Sequence, residues 1–521
     1  MVDRTPIQLP PGINRMGSEA EVGSGHWYEG QLVRWVSGVL RPVGGWERLA
    51  PVNQVGETPW VPASPIRRTH TWIAQNGAKF TAVLCEKNLY VIDDGGVVRD
   101  ITPADGIQGT DFTTAGGYGE YYYNYDTYGT PRPDRPVRLV IGPMWSLDNW
   151  GDDLLAMASS DSRLLRWKPS DPDGTLATEV QNDEGVKAPR GRFFLVTPER
   201  HVMMFWLNGQ FNSFGWCAQE DVEFWDFTST TSSAGKYDMQ PAIPFVTAVV
   251  TRSAIIAFTA RSAYAVTYMG TPYFYTYNFL GYYNAPVNGN AVAQSASGCM
   301  WLSDDGFWAF DGATISPVGC PILDWVIQTI DPVWKYRRPS AFYLGSHSEV
   351  WFFFPRREAT ENTNYASYNF DEKWWSMGEL SRTCGTPGSA LSYPLMSDTR
   401  YLYEHEKGLF YTDAPQLPYA QTGAINIANG ARQVTARQGI VDTRAPATDV
   451  QFMVAARRDR ISDGTEIPDV ELALAPRREG GKLDFRVTGR DLIIRIQSAR
   501  NGVQPWTFGK FLCKLFPRGG R

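Results

Sequence analysis

The stretch Trp301–Asp311 reads Trp-Leu-Ser-Asp-Asp-Gly-Phe-Trp-Ala-Phe-Asp: an apolar run, an Asp-Asp-Gly turn, then an aromatic-alternating run. This is a β-hairpin written locally. Gly306 supplies the positive φ of a tight turn, and Phe307, Trp308 and Phe310 suit pleated, half-buried positions. One hairpin constrains little, but six other segments repeat the pattern: Phe80–Asp93, Leu154–Trp167, Phe193–Trp206, residues 245–266, Ala341–Phe354 and Tyr401–Asp413. With Tyr90, Leu165, Phe205, Tyr264, Trp308, Phe352 and Phe410 as equivalent positions, the gaps are 75, 40, 59, 44, 44 and 58 residues. Four strands with their turns take about 40–50 residues, the blade spacing of a β-propeller. A single twisted sheet cannot cover both its faces; a ring of them can. The expected fold is all-β: a β-propeller of six to eight blades, plus a small C-terminal antiparallel β-sandwich.

Composition agrees with many short strands and turns. The chain has 521 residues with 19 Trp, 25 Tyr, 26 Phe, 49 Gly and 35 Pro. The one helix expected is short, at Pro321–Ile330. Residues 1–66 read as an extended arm, in which His26–Trp35 alternates like a strand and Arg41–Trp46 closes a hairpin. The propeller is expected over residues 67–414, with a Tyr/Gly-rich insertion at 106–136. Pro415–Thr422 reads as a linker, and residues 423–521 as a basic β-sandwich platform. The arm is expected to pack with this C-terminal unit rather than to complete the propeller.

The net charge of −6 hides an asymmetry. Gln421–Arg521 carries 17 Arg and Lys against 10 Asp and Glu, which leaves the other 420 residues at −13. An acidic body argues against a nucleic-acid reader, which presents a basic face. The basic part reads either as solvated surface or as a dock for an acidic neighbour, such as the body of another copy. Six widely spaced cysteines without a C-x-x-C pair fit buried, reduced thiols of a protein folded in a cytosol. The opening Met-Val-Asp-Arg-Thr-Pro holds no apolar h-region, so no secretory signal is expected. The best apolar run, Phe245–Ala260, is broken by Arg252, so no membrane segment is expected.

Chemistry leaves little trace. A glycosidase needs two carboxylates at a set separation, and nothing marks a pair among 55 acids. Ser303–Trp308 approaches the Asp-box of sialidases, but its spacing fails and it reads as a turn. The five histidines (His26, His70, His201, His347, His405) lack zinc-ligand spacing, and His405 is expected in an exposed turn. There is no G-x-S-x-G elbow, phosphate loop or dinucleotide fingerprint. The expectation is no catalytic residue, no metal and no cofactor. The most site-like feature is the insertion: Tyr121, Tyr122, Tyr123, Tyr125 and Tyr128 read as a partner contact, with sugar stacking or a self-packed loop as alternatives.

Several segments carry a family likeness. Pro10–Ile13 leads into Gly25–Trp35 and Arg41–Trp46; Tyr365–Trp375 ends one strand in a polar turn and opens the next with a Trp pair; Trp506–Arg521 closes on Pro-Arg-Gly-Gly-Arg. The chain resembles the tail nozzle proteins of short-tailed bacteriophages, also called tail tubular or packaged-DNA-stabilising proteins. The resemblance implies a non-enzymatic virion tail protein, assembled in the host cytoplasm. It implies a homo-oligomer, a ring of six copies built on β-propellers, that closes the tail tube and retains DNA until ejection. Its implied partners are a tail adaptor, tail fibres or spikes, and genomic DNA that passes without tight binding. The alternative readings are a propeller glycosidase or carbohydrate-binding tail protein, and a cytosolic propeller scaffold.

Overall fold

The computed structural model describes residues 4–7, 9–16, 25–53, 58–109, 142–295, 298–387, 390–426, 433–444, 446, 448–457, 472–478 and 481–517. Seven antiparallel sheets follow one another, each starting from an inner strand: Ile66–Ile73, Trp145–Trp150, Phe193–Val196, Phe245–Val250, Val292–Gln294, Ser340–Leu344 and Cys384–Thr386. The inner strands touch in cyclic order, the seventh against the first, so the sheets are the blades of a closed seven-bladed propeller. At the closing junction the hydroxyls of Thr69 and Thr386 lie 2.7 Å apart.

What holds the ring is seven apolar cores, one at each junction between neighbouring blades. Strand Asp153–Ala158 shows how the sequence feeds two of them. Leu154 and Ala156 face blade one, whereas Leu155 and Met157 face blade three. Both faces of a blade are buried, so its strands read as continuous apolar runs rather than as alternating ones. The aromatic residues fill these wedges. Phe193, Phe205, Phe214 and Phe245 stack or meet edge-on across the junction of blades three and four, with centroids 4.6–6.1 Å apart.

The hairpins of the sequence fall in two registers. Tyr90, Leu165, Tyr264 and Trp308 lie on third strands, whereas Phe205 and Phe352 lie on second strands. In blade seven the third strand, Leu402–His405, is not followed by a fourth. Phe410 lies outside any strand, and the fourth place is taken by Trp46–Arg48 of the arm. The arm thus closes the propeller, contrary to the expectation that it would only join the C-terminal unit. The approach is tight: a Cβ on Gly45 would lie 2.6 Å from the Phe410 carbonyl oxygen. Val52–Asn53 then adds a parallel fifth strand to blade one.

The rest of the arm enters the second unit, a sandwich of a seven-stranded and a six-stranded sheet. The strand expected at His26–Trp35 breaks at Leu32, whose φ of 51° turns the chain out of line. Trp27–Gln31 joins one sheet and Val33–Val36 the other. The expected linker also contains a strand, Tyr419–Thr422, between Trp27–Gln31 and Asp491–Ser498. The helix Leu323–Thr329 packs where this sandwich meets blades five and six.

The clasp gives a stability prediction. Trp46 is fully buried (0% exposed), stacks on His405 at 4.8 Å and donates its indole N–H to the Thr412 carbonyl at 2.6 Å, whereas Phe410 is 56% exposed. Trp46→Ala is expected to cost about 3–5 kcal/mol and Phe410→Ala less than about 1, read as midpoint shifts in urea unfolding. Equal shifts would count against the clasp.

Candidate functional site: the propeller axis

The inner strands of the seven blades leave an axial cavity with two lobes, of about 540 and 390 Å³, which share Arg68, Val292 and Gln294. Its walls combine apolar side chains that also border the inter-blade cores, such as Leu147, Leu195 and Phe342, with polar ones such as Asn149, Thr197 and Gln294. A β-bulge between Ile66 and Arg68 aims two consecutive arginines differently. Arg67 turns into a buried network on Glu86 (2.6 Å) and Glu361 (2.7 Å), which Arg338 joins. Arg68 lines the axis. Burial pulls its guanidinium below its ordinary pKa, with Cys384 and Asp148 opposing.

Asp148 lines the larger lobe beside it. Its oxygens accept the backbone N–H groups of Asn149 (2.9 Å) and Val196 (3.2 Å), which ties blade two to blade three. Burial raises the Asp148 carboxyl, and His70 and Arg68 work against that rise. His70, held to Asn149 Oδ1 at 3.1 Å, is kept below its ordinary pKa by burial. The cavity wall therefore carries the Arg68 guanidinium and the Asp148 carboxyl, with the His70 imidazole in electrostatic reach of both and Arg200 on the wall of the larger lobe. Among the described lining residues of the two lobes, Asp148 is the one carboxyl, where a glycosidase needs two.

Sequence reasoning did not single out the trio of Arg68, His70 and Asp148. Arg68 and Asp148 are 80 residues apart, and no local spacing links them. The consecutive arginines at the start of an inner strand were the available signal, because a bulge is what lets both be accommodated. The tyrosines that were singled out, Tyr121, Tyr122, Tyr123, Tyr125 and Tyr128, lie outside the described residues. Ser303–Trp308 forms a turn, in which the Trp308 indole donates to Asp305 at 3.0 Å and Ser303 bonds the same carboxylate.

His405 is not in an exposed turn. It is 4% exposed, on a strand, and its Nε2 accepts from fully buried Arg382 at 3.0 Å, which keeps the ring neutral. The turn-like sequence Glu-His-Glu misled because its strand partner comes from the arm. His201 is sealed as well (0% exposed). Its Nδ1 meets the Tyr275 hydroxyl at 3.1 Å, and burial lowers its pKa to about 4. All six cysteines are free thiols, five of them buried.

A second charged cluster joins the arm to blades six and seven. Arg34 donates to Glu406 at 2.7 Å and to Glu349 at 3.1 Å; Glu406 also accepts the Gly44 N–H at 3.1 Å and meets His347 at 3.3 Å. Burial alone would raise the Glu406 carboxyl, but Arg34 and the His347 hydrogen bond outweigh it and hold the pKa at about 2. Among the described residues no group of three or more His, Cys, Asp and Glu is placed to hold a metal ion. No helix there is long and apolar enough to cross a membrane.

No family model matches the chain, and no curated protein matches it. Among solved structures it is similar to a virginiamycin B lyase from Staphylococcus aureus at 8% identity, covering 66% of this chain and 94% of that one, with a TM-score of 0.39. The WD40 domain of Pan2 from Neurospora crassa is 9% identical over 71% and 98% of the two chains, at 0.37. An exo-β-1,3-galactanase from Phanerochaete chrysosporium is 9% identical over 91% and 100%, at 0.27.

The arm cluster is open to a double-mutant test. Arg34→Met and Glu406→Gln are each expected to cost about 3–5 kcal/mol, and the double variant clearly less than their sum. Because the folded pKa of Glu406 lies below its ordinary 4.5, its contribution is full above that pH and is lost as pH falls toward about 2. Acid titration followed by fluorescence is expected to show that loss in the wild type and a flatter profile in Glu406→Gln. Additive costs and superimposable profiles would contradict the pairing.

Proposed function

We propose that this chain is a tail nozzle protein of a short-tailed bacteriophage: a structural virion subunit whose copies form a ring, expected to be of six. The ring closes the tail tube, retains packaged DNA and conducts it on ejection. One observation carries the reading. The segments that bear the resemblance lie far apart in sequence, yet most of them meet in one core: Ile13, Trp27, Trp35, Trp375 and Trp506 belong to it, where the sandwich meets blade six, while Trp46 lies in the core between blades six and seven. The Ile13 N–H donates to the Trp375 carbonyl at 2.9 Å, and Trp27 meets Phe508 edge-on at 5.6 Å. Segments that carry the likeness at separate places thus contribute to one joint, which supports the reading.

Charge supports the same reading. An acidic body repels phosphates, where a basic wall would release counterions and bind them. A basic terminal part against an acidic propeller can set the register of head-to-tail contacts in a ring. The role is thus a gate and conduit with walls that do not retain the polymer.

Two measurements on the purified full chain test this. Light scattering, with negative-stain images, is expected to give closed rings of six that dissociate as salt is raised, and filter binding is expected to show no tight retention of duplex DNA at physiological salt. A salt-insensitive monomer that cleaves a host polysaccharide would favour the glycosidase alternative instead.

A further inference from the structure

Arg68 departs from a rule that the buried arginines Arg34, Arg67, Arg163 and Arg382 follow. Arg67 has two carboxylate partners and Arg163 has Asp161 and Asp105. Arg34 has Glu349 and Glu406, and Arg382 has an imidazole and a carbonyl. Taking a guanidinium out of water is costly unless paired groups replace the lost hydration. Arg68 is half-buried on the axis, and none of the described groups lies within ion-pair or hydrogen-bond distance of it. Its one charged neighbour, Asp148, is engaged by two backbone N–H groups instead.

The space around Arg68 is the axial cavity. Two lobes of about 540 and 390 Å³ meet at its side chain, which is the size range of small-molecule sites. Around it are groups that can bond hydroxyls, Gln294, Ser295 and Tyr343 in one lobe and Asn149 in the other, set among the apolar Val292, Val196 and Val249. A planar guanidinium is matched by a carboxylate, which it can bind through two parallel N–H···O bonds. The adjoining wall carries the Asp148 carboxyl, and Arg200, which also lines the larger lobe, is already paired with Glu220 at 3.2 Å; one unpaired guanidinium beside a carboxyl suits a single negative charge, which favours a monoanionic carboxylate over a phosphate monoester.

We propose that the propeller axis is a binding site for a small hydroxylated carboxylate, a uronic acid in chemical class. Its carboxylate pairs with Arg68 and its hydroxyls reach Gln294, Ser295 and Tyr343. Asp148 acts as the selectivity wall against dianions. The inference does not depend on the nozzle reading, since it concerns the axis of each propeller and holds for a monomer as for a ring.

Titration calorimetry on the full chain tests it with glucuronate, glucose 6-phosphate and glucose as probes. Glucuronate is expected to bind, glucose not to bind measurably, and the phosphate to bind more weakly than glucuronate. Arg68→Gln is expected to weaken glucuronate binding by at least about tenfold, the loss of hydrogen bonds to a charged group. Asp148→Asn is expected to narrow or invert the preference over the phosphate, a readout that general destabilisation would not produce. Gln294→Leu, which leaves both charges in place, should weaken glucuronate binding while the thermal unfolding midpoint stays put. Glucuronate binding no better than glucose, affinity unchanged in Arg68→Gln in a folded variant, or a phosphate preference in the wild type would each overturn the proposal.

Discussion

Everything in this molecule depends on apolar burial between blades. A four-stranded twisted sheet with both faces apolar has no stable existence alone, because each face exposes large side chains to water. Seven such sheets remove the problem only if the last meets the first. The core formed by Ile66, Val83 and Tyr90 with Cys384, Leu395 and Leu402 is where that happens. Ring closure is therefore a condition for the stability of all the blades, and the strand that completes blade seven acts on the whole propeller.

That strand, Trp46–Arg48, is supplied by the same arm that contributes four strands to the sandwich, so one segment is paired into both units. Between them lie Arg34 and its two carboxylates, and the tryptophan-rich core around Trp27 and Trp375. A propeller on its own would be a wheel with a removable clasp. Here the clasp is anchored in a second core, and displacing it requires disrupting the sandwich too.

Much of the architecture was legible because turn chemistry and aromatic strands are local. The hairpin around Asp305 and Gly306 announces itself in eleven residues, and its spacing to the other hairpins gives the blade repeat. Register within a blade was not legible, for a physical reason: with both faces buried, Val202–Phe205 and Leu89–Ile92 look alike, yet one is a second strand and the other a third. The fate of the arm was hidden in a backbone angle at Leu32, a residue type that seldom takes positive φ. His405 was misplaced because its burial is created by Trp46, 359 positions earlier. The grouping of Arg68, His70 and Asp148 was hidden for a related reason: the consecutive arginines hint at a bulge, but only the packing of blade one on blade two sets them beside a carboxyl 80 positions later. Local chemistry survives in the sequence, and what depends on closure does not.

The central claim, that the arm closes the propeller, is tested most directly by native-state hydrogen exchange read by mass spectrometry. Peptides covering Trp46–Arg48 and Leu402–His405 are the two sides of one ladder, in which Glu47 faces Glu404 and Arg48 faces Tyr403. The account predicts slow exchange with matching protection in both, lost together as denaturant is raised. Protection of Leu402–His405 alongside exchange of Trp46–Arg48 at the rate of an unstructured chain would contradict it.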